Sequence, residues 1–492
     1  MSRLKAVMRN TGYLAFAETA KPALSFVLIL VIARMLGRDG MGSYTVILTF
    51  TSLFELIATF GVGTMITRAI AAEPERFSFY TNAAIGVAVV ASAIVLPVML
   101  IVLHAFHYPR EITLGIRLLA WTLLVSILQQ YALSICEGLQ EMRLRSVLSV
   151  ADTAGRLITG VFMVLQGHGV LGIVEGMVIT RALTTLLGFV LLARHTGLSL
   201  DYRVMSSASG KLAFRGLPFL FTAVASAAAW SVNTLMLSKL AGVSDVGTYN
   251  AASRITDIIK TFLFSYQIAL LPMMSASFIK SREQFQQDCN ASIKYLALLT
   301  VPMATGISVL APRIIDLVFG HKFATAAPVL QLLAWTVCVF SISMVFARVL
   351  IASHHQMLDL YCNVAALVVN VTLGWVLISR YGPSGAAIST LTSLFTFGFL
   401  EYFFVARKLF RAEVLIPLAR SAGASALMGL CLVYLKAVPL FAVIPLGVVI
   451  YLAVLVGTGT FSPAELRTVK TVITERVSSR LAQREKSVVN AG

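Results

Sequence analysis

The chain has 492 residues and a formal net charge of +17, with 58% of its residues apolar and only 12% charged. Soluble domains carry roughly 45–50% apolar and about 25% charged residues, so an aqueous domain with an ordinary core is excluded. The apolar excess asks for a bilayer, where a spanning helix needs about 20 mostly apolar residues to cross ~30 Å of hydrocarbon.

In chain order, apolar runs of that length fall near residues 11–36, 42–70, 81–106, 113–137, 146–167 and 170–193. The longest polar break follows, "RHTGLSLDYRVMSSASGK", from Arg194 to Lys211. Six further runs lie near 212–241, 246–276, 290–311, 325–352, 358–380 and 384–408, and two more near 414–436 and 438–460. None alternates as a barrel strand must, so each is predicted to be helical. The expected fold is an all-α polytopic membrane protein with about 14 transmembrane helices. Past the last run, Leu466, Val469, Ile473, Val477 and Leu481 recur at helical spacing opposite basic residues. Residues 461–492 are therefore expected to form a cytoplasmic amphipathic tail lying on the membrane surface.

An even number of spans puts both termini on one side. About 25 of the 39 Lys and Arg fall in the loops and tails of that side, and about nine on the other. That bias predicts cytoplasmic termini, so the basic excess sets orientation and does not mark nucleic acid as a partner. The first run is span-length and lacks a small-residue cleavage site, which reads as a retained helix. Cys136, Cys289, Cys338, Cys362 and Cys431 show no CxxC spacing, and no HExxH, P-loop or Ser-His-Asp pattern occurs. Neither an enzyme nor a metal or organic cofactor is expected.

The chain also matches itself. "ARMLGRDGMGSY" at 33–44 aligns with "SKLAGVSDVGTY" at 238–249, pairing Gly37 with Gly242, Gly42 with Gly247 and Tyr44 with Tyr249 at an offset of 205. "GHGVLGIV" and "YGPSGAAI" pair Gly169 with Gly382 and Gly172 with Gly385. Both echoes fall at corresponding turns, which predicts a duplicated six-span unit. The expected domains are an N-terminal six-helix lobe at 1–200, a C-terminal six-helix lobe at 205–410 and two additional spans at 411–460. Six is even, so the lobes share an orientation, as in transporters that rock two bundles about a central site.

The stretch "IARMLGRDGMGSYTVILTFTSLFELIATFGVGTMITRAIA", after "NTGYL", resembles the opening of Wzx-type polysaccharide flippases, and "LSKLAGVSDVGTYNAASRI" resembles their second-lobe turn. These flippases share a superfamily with lipid II flippases and MATE drug exporters. The resemblance covers roughly the first 410 residues. It implies a bacterial inner-membrane protein that moves a polyprenyl-pyrophosphate-linked oligosaccharide to the periplasmic leaflet, with membrane lipids and a polysaccharide polymerase as partners. One departure is that Asn233 stands where many members carry an acid.

A charge at mid-bilayer costs about 2.5–3.5 kcal/mol on insertion scales, so it faces a partner or a wet cavity. Within the runs lie Glu18, Lys21, Glu55, Asp152, Arg156, Glu175, Arg181, Arg254, Asp257, Lys260 and Glu401. Asp152 and Arg156 have the spacing of a self-neutralised pair, and Glu18 with Lys21 allows the same. Arg181 has no acid within a turn, and Glu55 and Glu401 have no local cation. In "RITDIIK", Asp257 can neutralise either Arg254 or Lys260 but not both. The surplus cation needs a distant acid, water or a ligand.

A pyrophosphate cannot cross hydrocarbon unaided, and cations at mid-depth lower that barrier. Read with the resemblance, the expected head-group contacts are Arg254, Lys260, Arg181 and Lys21, then Arg156. Export of an anion is favoured by the membrane potential. Coupling to H⁺ or Na⁺ is a second drive, with Glu55, Glu18 and Asp257 as its carboxylates. A MATE-like cation-coupled drug exporter predicts an acidic, aromatic cavity instead, and a lipid II flippase shares the cationic one. A membrane glycosyltransferase or polymerase needs a sizeable external loop, which this sequence lacks.

Overall fold

The computed structural model describes residues 3–196, 201–435 and 438–458. The expected tail, residues 461–492, lies outside the described residues. Among them are fourteen α-helices, whose ends differ from those of the predicted spans. They are α1 (Arg3–Ala58), α2 (Val62–Ala72), α3 (Phe77–Phe106), α4 (Arg110–Trp121), α5 (Leu123–Gly138), α6 (Met142–Leu165) and α7 (Gly169–Thr196). After these come α8 (Tyr202–Leu240), α9 (Val243–Lys280), α10 (Arg282–Phe319), α11 (Ala326–Ala352), α12 (Gln356–Lys408), α13 (Leu415–Tyr434) and α14 (Leu440–Gly457). Ten of the described helices are long and apolar enough to cross a bilayer, or eleven if α4 and α5 count as one bent span. The predicted fourteen crossings are not reached on that criterion. Large apolar side chains such as Ile101, Ile158, Leu165 and Phe399 are exposed, the surface expected of a multi-pass membrane protein facing lipid.

Two helices are too long for one crossing. Straight, the 56 residues of α1 and the 53 of α12 would run to roughly 80 Å each. Each has one non-helical residue inside it, Gly37 (φ 70°) and Gly382 (φ 54°). Only glycine enters that region freely, so these are the points where the chain turns. Beyond Gly382 the two limbs of α12 run side by side, and the Ser393 hydroxyl donates to the Ala366 carbonyl at 2.7 Å.

Two predicted runs are broken. The run 42–70 stops at Ala58 and resumes at Val62, with Phe60 and Gly61 at positive φ. Backbone atoms of Gly216 and Leu220 on α8 press against Gly61. The Thr59 carbonyl accepts from the Val62 N–H at 2.9 Å and from the Tyr131 hydroxyl on α5 at 2.8 Å. The run 113–137 is two helices meeting at 54°. At the joint Thr122 leaves helical geometry (φ −93°, ψ 8°), and its hydroxyl donates to the Leu119 carbonyl at 2.9 Å. That side chain offers the backbone an alternative to the helical ladder.

The described residues fall into two compact units. The first takes those of Met1–Thr261, Ile314–Leu333 and Asn363–Thr396, and the second those of Phe262–Arg313, Ala334–Cys362 and Phe397–Gly492. In the first unit a buried core of Val62, Ile66, Ile70, Ile127, Tyr131, Ile135 and Cys136 knits α2 to α5. There the two matching turns also meet. A methyl group on Gly42 would strike the Val243 carbonyl, and one on Gly247 would strike the Arg38 carbonyl. Val243 stands to Arg38 as Gly247 stands to Gly42, 205 residues on, so one contact is made twice in reciprocal form. In the second unit Tyr451 of α14 donates to the Leu298 carbonyl of α10 at 2.8 Å. Ser421 of α13, 2.8 Å from the same hydroxyl, donates to Ala297 at 3.0 Å.

Candidate functional site

The five expected head-group contacts and the three expected coupling carboxylates all lie in the first unit, on α1, α6, α7 and α9. Arg181 of α7 is buried, and its Nη1 bonds both Glu55 of α1 and the Ser126 hydroxyl of α5, the latter at 2.6 Å. Arg156 pairs with Asp152 one turn earlier on α6, as their spacing predicts. The two pairs are joined by Thr184, whose hydroxyl lies 3.4 Å from Asp152 Oδ1 and 3.2 Å from the Arg181 carbonyl. Gln129 of α5 donates to Thr184 at 3.0 Å.

Tyr44 of α1 lies near this group. It is buried, and Arg156, Arg254 and Arg181 all lie within electrostatic reach of its phenol. Three of the five predicted head-group residues thus converge on one tyrosine. Among the described residues Arg254 makes no ion pair or hydrogen bond, unlike its two neighbours. Lys260, also buried, has its Nζ 3.9 Å from Asp257 on its own helix, beyond hydrogen-bond distance. Four cations (Arg156, Arg181, Arg254, Lys260) are thus set against three acids (Asp152, Glu55, Asp257), and Arg254 and Lys260 share the charge of Asp257. The buried Nε atoms of Arg156 and Arg181 also have no partner.

Lys21 belongs elsewhere. It pairs with Glu18 at 2.8 Å, and Glu18 reaches Arg145 at 3.5 Å. Arg145 in turn bonds Glu137 at 2.6 Å, forming a separate chain of charges with Glu18 exposed. Tyr249, the sequence match of Tyr44, contacts Thr390 at 3.2 Å, and Asn233 donates to that hydroxyl at 2.7 Å. The Asn250 side chain donates to the Val246 carbonyl of its own helix at 3.1 Å.

Ser126 and Thr184 carry no signal in the sequence, which marks Tyr44 only as a repeat match. Nor did it foresee the Arg181–Glu55 pair, since each was noted as lacking a local partner.

An all-helical multi-pass chain that keeps ion pairs and a half-buried cation without a bonded partner among its described helices belongs to the class of membrane transport proteins. The fold matches "Lipid II flippase MurJ, inward closed conformation" with a TM-score of 0.75 at 15% identity, covering 91% of this chain and 98% of that one. It also matches the inward-facing conformation of a multidrug resistance MATE family transporter of the MOP superfamily (TM-score 0.67, 15% identity, 79% and 94% coverage). The model of the family described as polysaccharide biosynthesis protein matches residues 7–278, more than half the chain, and the chain belongs to that family. The MatE model matches residues 218–376. Among named relatives, the probable low-salt glycan biosynthesis flippase Agl15 of Haloferax volcanii is 28% identical over 78% of this chain and 80% of its own length. The succinoglycan biosynthesis transport protein ExoT of Rhizobium meliloti is 24% identical over 67% and 66%.

Proposed function

We propose that this protein is a flippase, not an enzyme, and that it carries a polyprenyl-pyrophosphate-linked oligosaccharide from the cytoplasmic to the periplasmic leaflet for surface polysaccharide export. The observation that carries this reading is Arg254, a half-buried cation with no partner among the described residues, set beside the paired Arg156 and Arg181 around Tyr44. An unpaired charge in a membrane interior is costly unless a counter-charge arrives, and a pyrophosphate supplies one. Lys260 extends the cationic face and Lys21 is a more distant contact. The relatives named as glycan and succinoglycan transport proteins support the same substrate class.

In this reading two six-helix lobes, residues 1–200 and 205–410, alternate access to the head group while the polyprenyl tail stays in lipid. The protein sits in a bacterial inner membrane with both termini cytoplasmic, as its Lys and Arg distribution favours. The membrane potential or an H⁺ or Na⁺ gradient drives export, and a polymerase receives the product.

The test is native mass spectrometry of the purified protein offered a polyprenyl-pyrophosphate oligosaccharide, lipid II and a panel of organic cations. Retention of the oligosaccharide lipid, lost in Arg254→Ala, supports the proposal. Preferential retention of lipid II reassigns the substrate, and retention of the organic cations alone overturns the flippase reading.

A further inference from the structure

In the second unit, Glu401 of α12 is fully buried, and neither of its carboxyl oxygens has a hydrogen-bond partner. The titratable groups facing it are Asp359 and Cys362, on the earlier limb of the same helix. Cys362 is itself fully buried, and Asp359 is half-buried. From α11, Ser343 packs on Gly398, and the Phe346 ring lies 5.6 Å from that of Tyr402. Arg348, the charged residue of that part of α11, forms no ion pair with Glu401, and its Nε is also without a partner. Among the described residues no cation acts on Glu401.

Two ionised carboxylates cannot sit together in a low-dielectric interior without a cation or strong donors. A buried carboxylate with both oxygens orphaned is an acceptor with nothing to accept. A proton on either acid removes the repulsion and gives the pair an O–H donor. A metal ion fits less well. Two carboxyls and a thiol are few ligands for a hard cation, and no His, Cys, Asp and Glu group among the described residues suits a metal.

We propose that Glu401 and Asp359 form a proton-binding site, holding one proton between them in this conformation and releasing it when the protein changes state. The bound proton is independent of what the protein carries. Its use as a coupling proton rests on the transport reading above. It would put proton coupling on α12 and not at Glu55, Glu18 or Asp257, which lie in the other unit.

Infrared spectroscopy of the full-length protein in lipid nanodiscs tests the site directly. Wild type should show a protonated-carboxyl C=O band at neutral pH that shifts in D₂O and fades in alkaline buffer. Glu401→Gln, an isosteric and neutral replacement, should lack it, and Asp359→Asn should lose or displace it. The second variant, at a half-buried position, gives the same reading if E401Q folds poorly. Spectra of both variants that superimpose on wild type overturn the proposal. Coupling is read separately in proteoliposomes, where an imposed pH gradient should speed transfer of a fluorescent polyprenyl-pyrophosphate oligosaccharide by wild type but not by E401Q. Arg254→Ala should keep the infrared band and lose the transfer. A band present without any transfer by wild type sinks the flippase reading and leaves the proton site standing. Transfer by wild type and E401Q that responds equally to the gradient sinks the coupling role.

Discussion

Arg181 and Glu55 stand 126 residues apart in sequence and meet as a buried ion pair that the Ser126 hydroxyl completes. Removing one member of such a pair leaves the other charged in a poor solvent, at a cost of about 3–5 kcal/mol. Arg181→Ala is expected to lower the thermal midpoint of the purified protein markedly. Glu55→Gln added to it should recover much of the loss, because the stranded charge is then gone. A double variant no more stable than R181A would mean the pair contributes nothing beyond its separate contacts.

Arg254 should behave in the opposite way. No ion pair or hydrogen bond to a described residue breaks when it is removed, so Arg254→Ala should leave the thermal midpoint near wild type. Binding of the pyrophosphate lipid should weaken tenfold or more, as loss of a charge-assisted hydrogen bond worth about 1.5–3 kcal/mol requires. With Lys260→Ala added, export should stop while the protein remains in the membrane. Wild-type polymer levels in that double variant, at normal expression, would remove both residues from the site.

At the break between α1 and α2 one carbonyl takes two donors, since Thr59 O accepts from the Val62 N–H at 2.9 Å as well as from a side chain. Tyr131 is buried, and its hydroxyl is the side-chain partner of the Thr59 carbonyl. Tyr131→Phe keeps the ring's packing and removes one of that carbonyl's two bonds, so a loss of about 0.5–1.5 kcal/mol is expected in denaturant or thermal unfolding. An unchanged midpoint would mean that the Val62 N–H alone satisfies the carbonyl.

Where the two matching turns meet, any side chain forces backbone apart. Gly247→Ala sets a methyl group against the Arg38 carbonyl, with the Gly42 nitrogen 3.1 Å away, and should cost about 1–3 kcal/mol as overpacking. Gly42→Ala should cost as much, and the two together less than their sum, since one displacement relieves both. Gly423 of α13 has nothing within 4 Å of its would-be methyl, so Gly423→Ala should be neutral or stabilise by about 0.5–1 kcal/mol. Equal effects at all three positions would deny the crossing any special tightness.

Much of this architecture was legible because its signals are local. Gly37 and Gly382 mark turns by what glycine permits, and Asp152 with Arg156 announce their pairing by spacing. The breaks at Gly61 and Thr122 were hidden within uniformly apolar runs. Both depend on neighbours, the α8 backbone in one case and a hydroxyl competing for a carbonyl in the other. The same limit governs the ions. Glu55 and Arg181, or Asp359 and Glu401, belong to different stretches of chain, and no one-dimensional spacing brings them together. Lys21 is a mixed case: its spacing from Glu18 allows the pair that the fold makes, while its charge alone places it with Arg254.

The Gly42–Gly247 crossing also divides positions that have been held from positions that have drifted. At each contact one residue offers only the space where a side chain would be, and the other offers only its carbonyl. The first role is filled by glycine in both turns, while the second is filled by arginine in one and valine in the other. A carbonyl is common to every amino acid, so Arg38 and Val243 were free to diverge, whereas an empty slot is common to none but glycine. Identity between the two halves of such a chain then measures how closely backbone meets backbone, and divergence measures how little a side chain matters there.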